Sequence, residues 1–269
     1  MNRPPRQARF PVPLDRLGAT ARAPAREPLR PQRPLQQAAA DAARTTVPSG
    51  LGLDSASVRS RMVQRLRADG ITDERVLAAF AAVERHQFVD SALANQAYED
   101  TSLPIGHGQT ISKPSVVARM LSLLFEGASA RGRGHLGRVL EIGTGCGYQA
   151  ALLARLARSV VSIERLAPLA EKARRQLQAG GIQVLVLHAD GRLGHAARAP
   201  YDTIIAAAGG DALPSAWLDQ LADGGRLVAP LHDDRLATQR LAVWDRGPQG
   251  LVHQESDAVH FVPLKSGTE

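Results

Sequence analysis

The chain has 269 residues, 44% of them hydrophobic and 4% aromatic, with one cysteine and a formal net charge of +7. One thiol excludes an internal disulfide and a multi-cysteine zinc site, and no apolar run approaches the roughly 20 residues that span a bilayer, so the sequence reads as a soluble protein. Nine arginines against three acids (Asp15, Glu27, Asp41) in residues 1–53 leave only +1 for the remainder, which argues against a nucleic-acid-binding face on the folded part.

Residues 1–53 also hold nine of the 17 prolines, and "RAPAREPLRPQRPLQQ" has neither a period of two nor a period of 3.6. Too little apolar surface is present to offset the entropy of ordering it, so this Arg/Pro/Ala-rich segment is expected to be a disordered extension. It lacks the continuous apolar stretch of about 7 to 15 residues that a secretory signal requires. Its Arg-rich, acid-poor composition faintly resembles an organellar transit peptide; a solvated extension or a start codon lying further downstream are the alternatives.

The folded part is expected to begin at residue 54. In "SASVRSRMVQRLRADG", Val58, Met62 and Leu66 recur at i, i+4 and i+8, which predicts a helix that stops at Gly70. "DERVLAAFAAVERH" predicts a second, with Val76, Ala79, Phe80 and Val83 on one face and Asp73 as N-cap. "FVDSALANQAYEDTSLPIGHGQTISKP" is dense in Gly, Ser, Thr and Pro and reads as a loop too long to lack a function. It runs into the helix "SVVARMLSLLFE", which completes a region of N-terminal helices and substrate loop over 54–125.

From residue 136 onward the rhythm is strand and helix in alternation. Strands are predicted at 138–142, 159–164, 183–190, 201–208 and 225–231, and helices at 147–157, 165–180 and 214–223. Apolar strand runs of this kind indicate burial on both faces, hence a doubly wound, mostly parallel α/β sheet. "QRLAVWDR" and "LVHQESDAVHFVPL" read as strands added at the C-terminal end.

The first predicted strand leads into Gly143-Thr144-Gly145-Cys146-Gly147. A phosphate-binding P-loop needs Lys-Ser/Thr after its last glycine, whereas Tyr148-Gln149 follows here. A dinucleotide fingerprint would be G-x-G-x-x-G; the glycines here are spaced G-x-G-x-G, with Glu141 two residues before the first. Dinucleotide sites set a pyrophosphate on a helix N-terminus, but a tighter turn edged by a carboxylate suits a cationic ligand without phosphate, such as S-adenosylmethionine. Glu164, at the end of the second strand, is placed to accept hydrogen bonds from both ribose hydroxyls. Asp190-Gly191, at the end of the third, would reach the adenine amino group.

A base N-methyltransferase often carries an Asn/Asp-Pro-Pro-aromatic motif after its fourth strand; the stretch here is "AAAGGDALP". Nor does any cysteine or histidine cluster suggest thiol chemistry or a metal. "LPIGHGQTISKPSVVARM", with "ERHQFV" before it, "VLEIGTGCGYQAALLA" after it and "AVHFVPL" near the end, resembles in that order the segments of the protein-L-isoaspartate O-methyltransferases of bacterial type. The resemblance covers about residues 58–266 and implies a Rossmann-like class I S-adenosylmethionine-dependent methyltransferase fold. The implied activity is protein repair: methyl transfer to the free α-carboxylate of L-isoaspartyl residues in damaged proteins and peptides.

By that resemblance Ser112 is the active-site residue, its hydroxyl positioning the substrate carboxylate or neighbouring backbone, and Gln109 and Thr110 line the junction of substrate and cofactor. His260 and Val262, in "AVHFVPL", are expected to clamp an extended peptide. On sequence grounds alone Ser112 could instead cap the helix after Pro114, with Ser115 its competitor. A carboxylate with a pKa near about 3.5 to 4 is already ionised at neutral pH, so no general base is required. Departures from the family pattern are Cys146 where serine is frequent, read as a buried residue, and Arg192 in place of a frequent tryptophan. A cytoplasmic monomer acting on proteins, without nucleic acid, membrane or metal, completes the expectation. The rivals are an RNA methyltransferase, which would need a basic face on 54–269, and a non-catalytic adapter, which would show a damaged glycine turn or a replaced Ser112.

Overall fold

The structure, a computed structural model, describes residues 56–233 and 238–269. The extension expected over 1–53 lies outside the described residues. Helix α1 (Ala56–Ala68) buries Val58, Met62 and Leu66 as the periodicity requires, and the chain leaves it through Gly70 at φ 96°. Helix α2 (Glu74–Ala82) opens on Asp73, whose carboxylate accepts from the backbone N–H groups of Arg75 and Val76. This satisfies two of the donors that a helix start leaves without partners.

The helix predicted through His86 ends at Ala82 and gives way to a 3-10 turn over Arg85–Phe88. The stretch predicted as loop is more ordered than its composition suggested. It contains another 3-10 turn over Ser91–Gln96, then an antiparallel hairpin of β1 (Leu103–Gly106) and β2 (Gln109–Ile111). The hairpin reverses through Gly106-His107-Gly108, all three with positive φ, at 95°, 53° and 69°. Two glycines make a reversal possible that two L-residues with Cβ atoms would resist. Helix α3 (Pro114–Phe125) follows with proline in its first turn and no side-chain cap. Ser112 and Ser115 therefore do not compete for a cap; the Ser115 N–H and hydroxyl both donate to Asp100.

A short helix α4 (Ala128–Arg133) leads into the seven-stranded sheet. Its strands are β3 (Arg138–Ile142), β4 (Ser159–Glu164), β5 (Leu185–His188), β6 (Tyr201–Ala206), β7 (Leu221–Asp233), β8 (Thr238–Gly247) and β9 (Gly250–Val259). The order is β5-β4-β3-β6-β7-β8-β9, parallel from β5 to β7 and antiparallel from β7 to β9. Between them run α5 (Tyr148–Leu156), α6 (Ala167–Ala179) and α7 (Ser215–Asp219). Side chains alternate across each strand, and in the central strands β3, β4 and β6 both faces are buried, whereas β9 is largely exposed. Val139, Val160 and Ile205 face the core shared with the N-terminal helices, while Leu140, Ile142, Val161 and Ile163 face a second core with Trp217.

Further predicted boundaries are corrected. The helix expected over 214–223 ends at Asp219, and β7 begins at Leu221. The Gln220 carbonyl accepts from Tyr201 N–H, and its amide is held by His195 N–H and the Leu193 carbonyl. These bonds commit the chain to the sheet one residue after the helix. The third strand is also shorter than its apolar run, four residues in place of eight.

Candidate functional site

Strand order reverses at β3: its successors β4 and β5 lie on one side and β6 on the other. Open α/β sheets bind ligands at such a switch point, outside the carboxyl ends of the strands. A cleft of about 960 Å³ opens there. Its floor is the glycine turn, in which Gly143, Gly145 and Gly147 take φ of 89°, 56° and 92°. The turn is stitched to β4: Gly143 N–H and Thr144 N–H both donate to the Ile163 carbonyl, and Thr144 and Ser162 share a hydroxyl–hydroxyl bond of 2.5 Å.

Glu164 is the charged centre of this cleft. Only 5% exposed, it accepts from Gly145 N–H through one oxygen at 2.8 Å and from Leu166 N–H through the other at 3.0 Å. Each oxygen keeps acceptor capacity for a ligand hydroxyl. The hairpin lies over the turn, with Ile105 so near that a side chain on Gly145 would meet it at 3.2 Å. Gly191 forms another wall, its carbonyl accepting from the Trp217 indole at 2.8 Å. The remaining wall is the C-terminal segment 262–265, tied to Gly209 by two backbone bonds, Gly209 N–H to the Val262 carbonyl and Leu264 N–H to the Gly209 carbonyl. The Gln239 amide fixes the Phe261 backbone beside it.

A second, smaller cavity adjoins, lined by Ser102, Thr110, Ser112, Ala207, His260, Phe261 and Val262. Four of these, Thr110, Ser112, Ala207 and Val262, line the large cleft as well. The two spaces therefore share one wall, and the Ser112 hydroxyl in that wall makes no hydrogen bond within the described residues.

Of the residues singled out in the sequence, the cleft gathers Gln109, Thr110, Ser112, Gly143, Thr144, Gly145, Glu164, Gly191 and Val262, with His260 on the smaller cavity. Three lie elsewhere. Gly147 stands behind the turn, where a Cβ would meet Ala173 at 3.3 Å; it lets α6 pack closely. The Asp190 oxygens are taken by Arg192 N–H and Gly267 N–H, at the rim rather than the lining. Glu141 does not line the cleft: it pairs with Ser162, on the sheet face that Glu164 shares, but two residues further back from the carboxyl ends of the strands. There it is fully buried and accepts from the Ser162 hydroxyl through one oxygen, the other having no partner among the described residues. Cys146 lines the cleft but is 3% exposed, and burial pushes its thiol pKa up, which leaves it an unreactive wall. Arg192 is exposed.

Burial, with the Glu164 charge adding to it, pushes the Glu141 pKa up to about 8. The folded state thus holds a proton that the unfolded chain releases near 4.5, and stability falls as pH rises from 4.5 through about 8. Glu141→Gln keeps the acceptor for Ser162 and removes the titration. Its thermal unfolding is expected to lose less on going from pH 5 to pH 8 than that of the wild type, and to be the higher of the two at pH 8. Parallel pH dependence in both would mean that Glu141 ionises normally.

Sequence reasoning missed Arg85. It is 0% exposed, and its Nη2 donates to the carbonyls of Thr101 and Ser112. The "ERHQFV" segment contained it, but a single-sequence reading gives no reason to place an arginine inside a core. Among the described residues no group of three or more His, Cys, Asp or Glu could hold a metal, and no helix is long and apolar enough to cross a membrane.

A family model described as protein-L-isoaspartate(D-aspartate) O-methyltransferase matches residues 57–269. A protein-L-isoaspartate O-methyltransferase of Methylibium petroleiphilum is 60% identical over 263 residues, 97% of each chain. One of Leptothrix cholodnii is 57% identical, covering 99% of this chain and 97% of its own. A solved structure described by the same name superposes with a TM-score of 0.69 at 28% identity, over 77% of this chain and 66% of that one. A Plasmodium falciparum protein solved with S-adenosyl-L-homocysteine shares the fold, with a TM-score of 0.65 at 23% identity over 77% of this chain and 98% of that one.

Proposed function

The chain belongs to the protein-L-isoaspartate(D-aspartate) O-methyltransferase family, and from that premise we propose which of its residues hold the two substrates. The protein is a repair enzyme that methylates the free α-carboxylate of L-isoaspartyl residues, with S-adenosyl-L-methionine as methyl donor. When bound, the donor supplies a methyl group on a cationic sulfur, open to in-line attack by a carboxylate oxygen. The cleft suits such a molecule: it offers a buried carboxylate and apolar walls from Ile105, Ile142, Ile163 and Leu166, and its glycine turn lacks the lysine of a phosphate cradle.

In this reading Glu164 receives the ribose hydroxyls and the backbone of Gly143, Thr144 and Gly145 follows the methionine portion. Gly191 and its neighbours flank the base, with Asp190 holding the rim. The substrate peptide lies in the smaller cavity between the hairpin and His260-Phe261-Val262. The observation that carries the assignment is the wall common to both cavities, Thr110, Ser112, Ala207 and Val262, because a methyl group must cross between them there. Gln109 and Thr110 line that crossing, and Ser112 has a free hydroxyl to donate to the carboxylate oxygen that does not attack. No base is needed, so the residues act by alignment and by exclusion of water. Residues 54–269 form the catalytic domain, a monomer acting in the cytoplasm on proteins and peptides rather than nucleic acid. Supporting this, those residues carry a net charge of only +1 and the one cysteine is buried.

The test is transfer of labelled methyl to a matched pair of peptides, one isoaspartyl and one aspartyl. Base-labile label on the isoaspartyl peptide alone is expected. Ser112→Ala should lower kcat by about ten- to a hundredfold, the worth of one hydrogen bond to a charged group, with little change in donor affinity. Wild-type activity in Ser112→Ala would remove the serine from the mechanism.

A further inference from the structure

Arg85 carries a charge that the assignment above does not use. Its guanidinium is fully buried, yet its hydrogen bonds go to two backbone carbonyls and to no carboxylate. Asp100, next to Thr101 in the chain, directs its two oxygens to Ser115. The Nε and Nη1 of Arg85 have no hydrogen-bonding partner among the described residues. Its Cζ lies 4.8 Å from the centre of the Tyr148 ring, whose electron-rich face stabilises a cation. Asp100 is within Coulombic reach but not hydrogen-bonded to it. Burying a guanidinium without a hydrogen-bonded counter-charge is costly, and an apolar residue of similar volume would fill the same space at lower cost.

The partners are informative. Thr101 precedes β1 and Ser112 follows β2, so one nitrogen, at 3.3 and 2.8 Å, closes the base of the hairpin that carries Gln109 and Thr110. Tyr148 is the first residue of α5, immediately after the glycine turn, and lines the donor cleft. Arg85 is thus bonded to the acceptor side through Ser112 and stacked on the donor side through Tyr148. We propose that Arg85 is a positioning residue for methyl transfer, which fixes the Ser112 backbone relative to the glycine turn and sets a positive charge, hydrogen-bonded to no carboxylate, behind the place where the substrate carboxylate arrives. This rests on the assignment of Ser112 to the carboxylate.

The role separates from simple core packing by what each substitution spares. Arg85→Met removes fork and charge, Arg85→Gln keeps a donor without charge, and Arg85→Lys keeps charge without the fork. Each is assayed at a temperature where circular dichroism shows it folded, for S-adenosylhomocysteine affinity and for kcat and KM on the isoaspartyl peptide. The expected result is a loss in kcat/KM of about a hundredfold or more in Arg85→Met, with about tenfold recovered in Arg85→Lys and less in Arg85→Gln. The affinity for S-adenosylhomocysteine should stay within about threefold. If Arg85→Met does not fold, Arg85→Lys carries the test, with faster amide exchange confined to 103–111 expected. Donor affinity falling by the same factor as kcat/KM, or Gln and Lys variants losing equally, would overturn the proposal. A wild type that binds S-adenosylhomocysteine but methylates neither peptide would remove the underlying assignment, and this proposal with it.

Discussion

Glu164→Ala is expected to raise the dissociation constant for S-adenosylmethionine by about a hundred- to a thousandfold. The carboxylate does two things at once. It accepts from Gly145 N–H and Leu166 N–H, which shape the turn and the exit from β4, and in the proposed site it accepts from the ribose hydroxyls. Bonds to a charged group are worth about 1.5 to 3 kcal/mol each, and tenfold in affinity is about 1.4 kcal/mol, so the loss of two such bonds at the lower end, about 1.5 to 2 kcal/mol each, accounts for the range. Conservative replacements should not rescue it. Glutamine would turn its NH₂ toward one of two backbone donors, leaving a donor facing a donor. Aspartate, one methylene shorter, cannot span both. Calorimetric titration with S-adenosylhomocysteine measures the effect, and a change of less than about fivefold in Glu164→Ala would take the ribose away from Glu164.

Much of this site was legible in the sequence because its parts are short-range. β3 and β4 occur at the predicted residues, 138–142 and 159–164, since a run of apolar residues before a glycine turn has few other conformations. The positive φ values at Gly143, Gly145 and Gly147 follow from that turn. Glu164 follows too, because the end of the next parallel strand must lie beside it. What failed was depth. Glu141 pairs with Ser162, two residues short of Glu164 in the parallel register, so the two carboxylates share a sheet face, but Glu141 lies further back and is buried behind the hydroxyls of Ser162 and Thr144.

The rest depended on contacts distant in sequence. The hairpin at 103–111 has strands of four and three residues, too short for a periodic signal. Its order comes from Arg85 and from packing on the glycine turn some 40 residues later. The segment 262–265 read as strand because of its apolar residues, yet it joins the sheet only through Gly209 and reaches the cleft as a strap. Position along the chain gives no indication that residues so near the C-terminus close a cavity opened by residue 143. The family resemblance did supply both segments, as motifs without geometry.

The helix that ended early contains the residue whose loss should cost the most stability. Trp217 is 1% exposed in the core beneath β3, β4 and β6, and its indole N–H donates to the Gly191 carbonyl at 2.8 Å. Trp217→Ala removes a large buried side chain, for which about 3 to 5 kcal/mol is usual; in a domain of this size that lowers the melting temperature by about 6 to 20 °C. The consequence for the site is separate. Gly191 lies so close to Ile142 that a Cβ there would come within 2.6 Å of its Cγ2, so its wall of the cleft is held in register by Trp217 on one side and Ile142 on the other. Trp217→Phe fills most of the volume but leaves the Gly191 carbonyl without its donor. It is expected to lose about a third of the stability lost in the alanine variant, and to weaken S-adenosylhomocysteine binding several-fold because the wall is no longer fixed. If Trp217→Phe binds S-adenosylhomocysteine as well as the wild type does, Trp217 serves the core alone, and Ile142 is sufficient to place Gly191.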